Sequence, residues 1–93
     1  MSDFLIQLQS IIKDRAKNPS NESYTSQLIE SGIDRVLRKV GEESAELIIA
    51  SKNHDSLEIK NEAADLVYHL LVLLEMEGLS FSDVVATLEQ RHR

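Results

Sequence analysis

One stretch of the sequence, from Leu66 to Leu74, decides much of what the fold can be. Apart from Tyr68 and His69, every residue in this stretch is leucine or valine. A helix that is apolar nearly all round must be covered nearly all round by other elements. A chain of 93 residues has little material for that cover. We therefore expect a homodimer, with the third and fourth helices near a two-fold interface.

Apolar residues recur at helical spacing along the rest of the chain, and no segment has the alternation of a strand. We predict a single domain over residues 1–93 with an all-α fold, an antiparallel helical bundle of about five helices joined by short connections. The predicted helices run from about Asp3 to Ala16, Tyr24 to Ser31, Arg35 to Lys52 and Ser56 to Glu77, with a short final helix opened by Ser80 and Asp83.

Residues at the predicted helix ends have the chemistry that helix termini require. Side chains that can accept hydrogen bonds from the first turn precede three helices, namely Ser2, Asp34 and Asp55. Asp55 with Glu58 resembles a capping box. Gly32 and Gly78 stand where helices two and four should end.

Composition excludes several classes of protein. The net charge of −6 argues against nucleic-acid binding, which normally requires a basic surface. The absence of cysteine excludes disulfides, thiolate metal sites and cysteine nucleophiles, and it suits the reducing cytoplasm. The longest apolar run, Leu70 to Leu74, is far shorter than the roughly 20 residues that cross a bilayer. The first residues lack the basic start of a signal peptide.

Helices three and four carry acidic residues beside their apolar faces. On helix three the predicted core stripe is Val36, Leu37, Val40, Leu47 and Ile48, and a second stripe beside it contains Lys39, Glu43, Glu46 and Ala50. On helix four Glu58, Glu62, Asp65 and His69 share the face next to the core. Two adjacent antiparallel helices would therefore bring Glu43 and Glu46 toward Glu62 and Asp65.

Such a group of carboxylates predicts a cation site. Carboxylates at close range repel one another unless a cation neutralises them. Ligands that are all oxygen suit Mg²⁺ above all, with Mn²⁺ next, and Mg²⁺ commonly binds phosphates of a substrate as well. The alternative is a solvated acidic face. It is weakened by Asp65, which lies in a run of mostly apolar residues and would need a partner there.

The same residues carry a resemblance to a known family. Glu42-Glu43-x-x-Glu46, fifteen residues, then Glu62-x-x-Asp65 is similar to the signature of the all-α NTP pyrophosphohydrolases, also called MazG-like. A narrower resemblance, to phosphoribosyl-ATP pyrophosphohydrolases, covers about Lys13 to the C-terminus. It rests on the segments Ser23-Tyr24-Thr25, Gly32-Ile33-Asp34-Arg35, Lys39 to Glu43, Ala50 to Asn53 and Glu62 to Leu71.

The narrower resemblance implies a function and a site. It implies Mg²⁺-dependent hydrolysis of phosphoribosyl-ATP to phosphoribosyl-AMP and pyrophosphate, the second step of histidine biosynthesis, by a homodimer or larger homo-oligomer. It implies metal ligands at Glu43, Glu46, Glu62 and Asp65, and a substrate loop at Ser23, Tyr24 and Thr25. It also implies the stand-alone form, without the cyclohydrolase domain that precedes this domain in some chains.

Other polar residues allow two interpretations each. Glu42 would orient or deprotonate the attacking water, or pair with Arg38 or Lys39 in solvent. Lys39 would neutralise phosphate charge, or pair with Glu43 one turn along. Arg35 and Lys52 are weaker candidates for binding substrate phosphate. For His69 we favour a hydrogen-bonded, half-buried histidine over a metal ligand.

Two rival functions fit the same chain. A house-cleaning (d)NTP pyrophosphatase would use the same carboxylates on a free nucleotide, and a substrate panel separates it from the narrower assignment. A non-catalytic helical assembly module would keep the bundle and lack the activity. Magnesium-dependent release of pyrophosphate distinguishes that module from an enzyme.

Overall fold

In a computed structural model, which describes residues 3–93, the chain is all helical and contains no strand. The helices are α1 (Asp3–Lys17), α2 (Tyr24–Glu30), α3 (Ile33–Lys52), α4 (Ser56–Met76) and α5 (Phe81–Arg91). This confirms the predicted five-helix, all-α fold, with bounds within two residues at most ends. Within the described residues, no helix is both long and apolar enough to pass through a membrane.

The two long helices α3 and α4 form a hairpin that makes the most extensive contact in the fold. Three residues connect them. Asn53 ends α3, His54 follows in the left-handed backbone region with φ 54°, and Asp55 caps α4. The Asp55 side chain accepts a hydrogen bond from the Glu58 backbone N–H at 3.1 Å, as its sequence position predicted.

Helices α1 and α2 cover one side of this hairpin. The core is a cluster of fully buried aliphatic side chains from helices α1 to α4, namely Ile12, Leu28, Val36, Leu71 and Val72. Helix α2 is anchored at its start, where the Ser23 hydroxyl accepts from the Ser26 backbone N–H at 3.1 Å. In the same first turn, Ser26 Oγ donates to the Arg15 carbonyl of α1 at 2.9 Å. The short helix α2 is thereby fixed against α1.

The prediction of Asp34 as an N-cap is wrong. Helix α3 begins at Ile33, and Gly32 occupies the capping position with φ 98° and ψ 166°. Only glycine adopts that backbone region without strain, so Gly32 both ends α2, as predicted, and starts α3. Asp34 lies in the first turn of α3, where its negative charge interacts favourably with the helix dipole. The predicted cap at Ser2 lies outside the described residues.

The predicted core stripe of α3 is also partly wrong. Leu37 and Ile48 are 48% and 64% exposed, whereas Glu43 and Ala50 are buried. Val36, Glu43 and Ala50 are seven residues apart, so they form a straight seam along α3. The helix is therefore rotated so that a carboxylate occupies a core position and two large apolar side chains face outward.

Helix α5 lies at the edge of the molecule. It begins with the predicted pairing of Ser80 and Asp83, which form a complete capping box. The Phe81 backbone N–H donates to Gln9 Oε1 of α1 at 2.8 Å. No residue of α5 is fully buried, so this helix contributes little to the core.

Candidate active site

An acidic cleft lies between α3 and α4 near the turn that joins them. Its volume is about 290 Å³. The lining combines carboxylates from both helices with an amide and two aliphatic side chains: Glu46, Ile49, Ala50, Asn53, Asp55, Glu58 and Glu62. The cleft therefore concentrates negative charge at one end of the hairpin.

The central contact in the cleft is between Glu46 and Glu62, as the predicted facing of the two acidic stripes requires. A hydrogen bond between the two carboxyl groups raises the pKa of Glu62 to about 7. Desolvation adds to this, and so does repulsion from the charges of Glu46, Asp65 and Glu58. Glu62 therefore resists ionisation more than an ordinary glutamate does, which marks a place where positive charge is favoured.

The donor set of the cleft suits a hard cation. Glu62 Oε2 is buried and makes no hydrogen bond. A buried carboxylate oxygen without a partner is costly, and coordination to a cation would satisfy it. The nearby ligands are all oxygen, which is the preference of Mg²⁺. As placed, however, no three acidic or histidine side chains among residues 3–93 converge closely enough to hold an ion. The four-ligand site therefore stays a prediction.

Glu43 does not line this cleft, and its carboxylate contacts His69 instead. Its Oε1 lies 2.6 Å from His69 Nδ1, and both side chains are buried. The other ring nitrogen, Nε2, lies 3.1 Å from the Tyr24 hydroxyl of α2. This confirms His69 as a hydrogen-bonded, buried histidine. It also shows why α3 turns Glu43 inward, because α4 offers that carboxylate a polar partner.

Asp65 is more open than its sequence context suggested. We expected it to be covered because of the apolar run, yet its side chain is exposed. The helix places it on the side of α4 that the rest of this chain does not cover. Its charge still reaches the cleft, since it contributes to the raised pKa of Glu62.

The basic residues predicted to bind phosphate, Arg35, Lys39 and Lys52, all lie on α3, and none of them lines the acidic cleft. Lys39 Nζ lies 3.9 Å from Glu42 Oε1, which confirms the alternative that Glu42 pairs with Lys39 in solvent. The alternative partner of Lys39, Glu43, instead contacts His69. Both side chains are substantially exposed, so the contact contributes little to stability. Arg35, Arg38, Lys39 and Glu42 line a second cleft of about 280 Å³. Lys52 is exposed in the last turn of α3.

The predicted substrate loop divides into three environments. Ser23 caps α2, as a helix start would require. Tyr24 is 44% exposed, with the Arg35 guanidinium 5.9 Å from its ring centre. Thr25 is buried, and its hydroxyl makes a hydrogen bond with the Tyr68 hydroxyl of α4. Tyr24 is therefore the member of the three that is most able to reach a ligand.

Sequence reasoning missed part of the cleft. Glu58 was placed on the acidic face of α4, one turn before Glu62, but was not included among the predicted site residues. That spacing could have identified it. Asn53 and Asp55 could not be found in this way, because they lie in the turn and their position depends on how α3 ends.

The fold and the cleft together define an all-α protein whose central helical hairpin carries facing acidic residues, an architecture consistent with the MazG-like superfamily. The phosphoribosyl-ATP pyrophosphohydrolase family matches residues 5–92, almost the whole chain. This chain belongs to that family.

Curated relatives carry this domain in two arrangements. The phosphoribosyl-ATP pyrophosphatase of Listeria welshimeri is 55% identical over 80 residues, covering 86% of this chain and 77% of the relative. That of Leptospira biflexa is 41% identical over 90 residues, covering 97% and 98%. The histidine biosynthesis bifunctional protein HisIE of Halalkalibacterium halodurans is 49% identical over 86 residues, covering 92% of this chain. The chain spans only about two fifths of that bifunctional relative, 41% of its length.

Proposed function

We propose that this chain is a hydrolase that converts phosphoribosyl-ATP to phosphoribosyl-AMP and pyrophosphate in histidine biosynthesis. Two of the relatives named above are phosphoribosyl-ATP pyrophosphatases, and the match to this chain covers 77% and 98% of their lengths. The observation that carries the proposal is the Glu46–Glu62 pair, which makes an anionic cleft in a chain of this family. We expect the reaction to occur in the cytoplasm, which suits a chain without cysteine.

Mg²⁺, or Mn²⁺ in its place, is the cation that this cleft would hold. Glu46 and Glu62 would be the first ligands, since they already meet, with Glu43 and Asp65 completing the set. The cation would neutralise phosphate charge and polarise the phosphoryl group under attack. Without it, a substrate carrying several phosphates would be repelled by a protein with a net charge of −6.

The remaining polar residues would bind and orient the reactants. Tyr24, Arg35 and Lys39 present a phenol and two cations on the α2–α3 side, where phosphates would be held. Glu42 is exposed and would orient a water or accept its proton. Attack by that water in line with the leaving group would release pyrophosphate.

Product identification tests this proposal directly. Phosphoribosyl-ATP is incubated with the protein in ¹⁸O-labelled water, with and without Mg²⁺, and the products are followed by ³¹P NMR. We expect pyrophosphate as the first product, only with Mg²⁺, and the label on phosphoribosyl-AMP. Orthophosphate appearing first would contradict the assigned reaction, whereas label on pyrophosphate would move the attack to the β phosphorus. ATP and dNTPs serve as substrate controls, and their preferential hydrolysis would instead indicate a house-cleaning enzyme.

A further inference from the structure

His69 is a buried polar residue at the junction of three helices. It lies on α4 and is 5% exposed. Its ring meets two tyrosine rings edge to face, with centroids 6.1 Å from Tyr24 and 5.0 Å from Tyr68. A polar ring in such a place requires partners for its nitrogens.

The contacts of the two nitrogens fix the tautomer of the ring. Nδ1 lies 2.9 Å from the backbone carbonyl of Asp65, which can only accept a hydrogen bond, so Nδ1 carries a proton. In the neutral ring Nε2 is then an acceptor. The Tyr24 hydroxyl, 3.1 Å away, donates to it.

The same edge of the ring also touches Glu43. Glu43 Oε1 lies 2.6 Å from Nδ1 but outside the direction of the N–H, which points at the Asp65 carbonyl. A small rotation of the ring would move this hydrogen bond from the carbonyl to the carboxylate. The Glu43 carboxylate is therefore packed against a ring of the neighbouring helix α4.

We propose that His69 is a positioning residue that aligns the cation side of the site with the substrate side. The Nδ1 edge of the ring packs against the carboxylate of Glu43 at 2.6 Å, and Nε2 accepts a hydrogen bond from the phenol of Tyr24. One rigid ring thus joins a predicted cation ligand on α3 to a predicted substrate residue on α2. This proposal rests on the proposed function for the roles of Glu43 and Tyr24.

The physical benefit is preorganisation. Helix α2 is short, and Tyr24, its first residue, is partly exposed. A phenol held by a buried acceptor loses less freedom when a ligand binds. A carboxylate held in one orientation likewise needs less rearrangement to bind a cation.

Two substitutions separate the two contacts. In His69→Asn the shorter amide takes the place of Nδ1, so the Glu43 contact is kept and the Tyr24 contact is lost. In His69→Gln the longer amide takes the place of Nε2, so the reverse holds. Mn²⁺ binding is measured by electron paramagnetic resonance without substrate, and KM and kcat are measured with phosphoribosyl-ATP and Mg²⁺.

The expected results differ in kind between the variants. His69→Gln weakens Mn²⁺ binding about 10- to 100-fold, the usual effect of removing a partner of a metal ligand. His69→Asn and Tyr24→Phe leave Mn²⁺ binding unchanged and raise the KM about tenfold, the loss expected for one hydrogen bond to the binding surface. If both His69 variants lose cation and substrate affinity in the same proportion, the ring only fills the core and the proposal is wrong.

A spectroscopic test does not require the variants at position 69 to fold. The chain has 3 histidines, and His54 and His92 are exposed. In ¹⁵N NMR of the metal-free protein, the neutral ring of His69 should carry its proton on Nδ1 and show a hydrogen-bonded Nε2. Tyr24→Phe should shift the Nε2 signal, and the matched variant Tyr68→Phe, whose hydroxyl contacts Thr25, should not. A neutral ring that carries its proton on Nε2 instead of Nδ1 in the wild-type protein would overturn the proposal.

The outcomes also separate this proposal from the proposed function. If the wild-type protein does not hydrolyse phosphoribosyl-ATP, the proposed function fails, while Mn²⁺ binding and the NMR signals still decide the role of His69. If the wild-type protein is active but His69→Gln binds Mn²⁺ as well as wild type does, the proposed function stands and the positioning role fails.

Discussion

Glu46 and Glu62 determine the chemistry of the cleft because Glu62 resists ionisation beside Glu46. Their shared hydrogen bond raises the pKa of Glu62 to about 7. Here the packing of α3 on α4 brings them together, so a cation or a proton must take the place between them.

The first prediction concerns the charge of Glu46. Glu46→Gln should abolish turnover at saturating Mg²⁺ while leaving the fold intact, because it removes a ligand charge and relieves repulsion with Glu62. Asp65→Asn should act in the same direction. Thermal unfolding without metal should occur at an equal or higher temperature.

The matched control is Glu30→Gln, which neutralises an exposed carboxylate at the end of α2. It should leave turnover unchanged. Near-wild-type turnover of Glu46→Gln in the same assay would show that the cation site lies elsewhere.

The second prediction concerns pH. The pKa of Glu62 is raised from 4.5 to about 7 in the folded protein, so between those values the folded state holds a proton that the unfolded state has lost. Its contribution to stability is complete below pH 4.5 and is lost as the pH rises through about 7. Chemical denaturation of the metal-free protein should therefore show this contribution falling over that range.

Glu62→Gln isolates this effect. The variant should lack the part of the pH dependence that wild type shows between pH 4.5 and 7. Mg²⁺ added near pH 7 should release protons from wild type, because the cation replaces the shared proton. Identical pH profiles for the two proteins would show that the carboxyl pair does not exist in solution.

At the scale of the elements, the turn between α3 and α4 sets the shape of the cleft. Asp55 N donates to the Ala50 carbonyl and His54 N to the Ser51 carbonyl, both at 3.1 Å, which is the Schellman arrangement. This arrangement requires a left-handed residue after the C-cap, and His54 takes it at φ 54°. A residue other than glycine is strained in that conformation.

The third prediction follows from that strain. His54→Gly should raise the free energy of unfolding by about 0.5 to 1 kcal/mol, because the relief of the left-handed strain exceeds the entropy that glycine loses on folding. Urea denaturation of metal-free protein measures it.

Gly78→Ala provides the opposing control, since Gly78 has φ 73° in the equivalent position after α4. It should lower the free energy of unfolding by about 1 kcal/mol. A destabilised His54→Gly would mean that the imidazole makes a contact that outweighs the strain.

At the scale of the whole molecule, one chain leaves much apolar surface uncovered. Its accessible surface is 6495 Å², about a fifth more than the roughly 5,400 Å² typical of a monomer of this mass. Its radius of gyration is 14.3 Å, against about 12 Å for a compact domain of this length. Large apolar side chains of the hairpin are exposed, among them Leu37, Ile48 and Leu57.

The fourth prediction is that a second copy of the chain covers this surface. We expect a stable homodimer at micromolar concentration, with an interface through α3 and α4 of well over 1,000 Å² in total, the scale of stable interfaces. Ile48→Glu should dissociate it, because a charge would be buried at the interface.

Sedimentation velocity provides the measurement. Ile6→Glu, which adds the same charge to a side chain of α1 that is 55% exposed, should remain dimeric. A wild-type monomer at micromolar concentration would contradict the prediction.

The sequence by itself determined the helices, most of their ends and the facing of Glu46 and Glu62. Helical periodicity and capping chemistry are local properties. Neighbouring residues alone were therefore enough to predict the N-caps Asp55 and Ser80 and the helix-ending glycines Gly32 and Gly78. The spacing of acidic residues on two consecutive helices sufficed to predict the pair, because a short turn leaves a hairpin few other arrangements.

Only the tertiary structure decided how each helix is rotated. Counting apolar residues on α3 gave a stripe through Leu37 and Ile48, but the helix turns Glu43 toward His69 instead. That choice depends on a partner 26 positions away in sequence, on a different helix. The exposure of Asp65 and the hydrogen bond between Tyr24 and His69 also depend on how the helices pack. Burial of a polar group is decided by what faces it across the interface, and no local pattern contains that information.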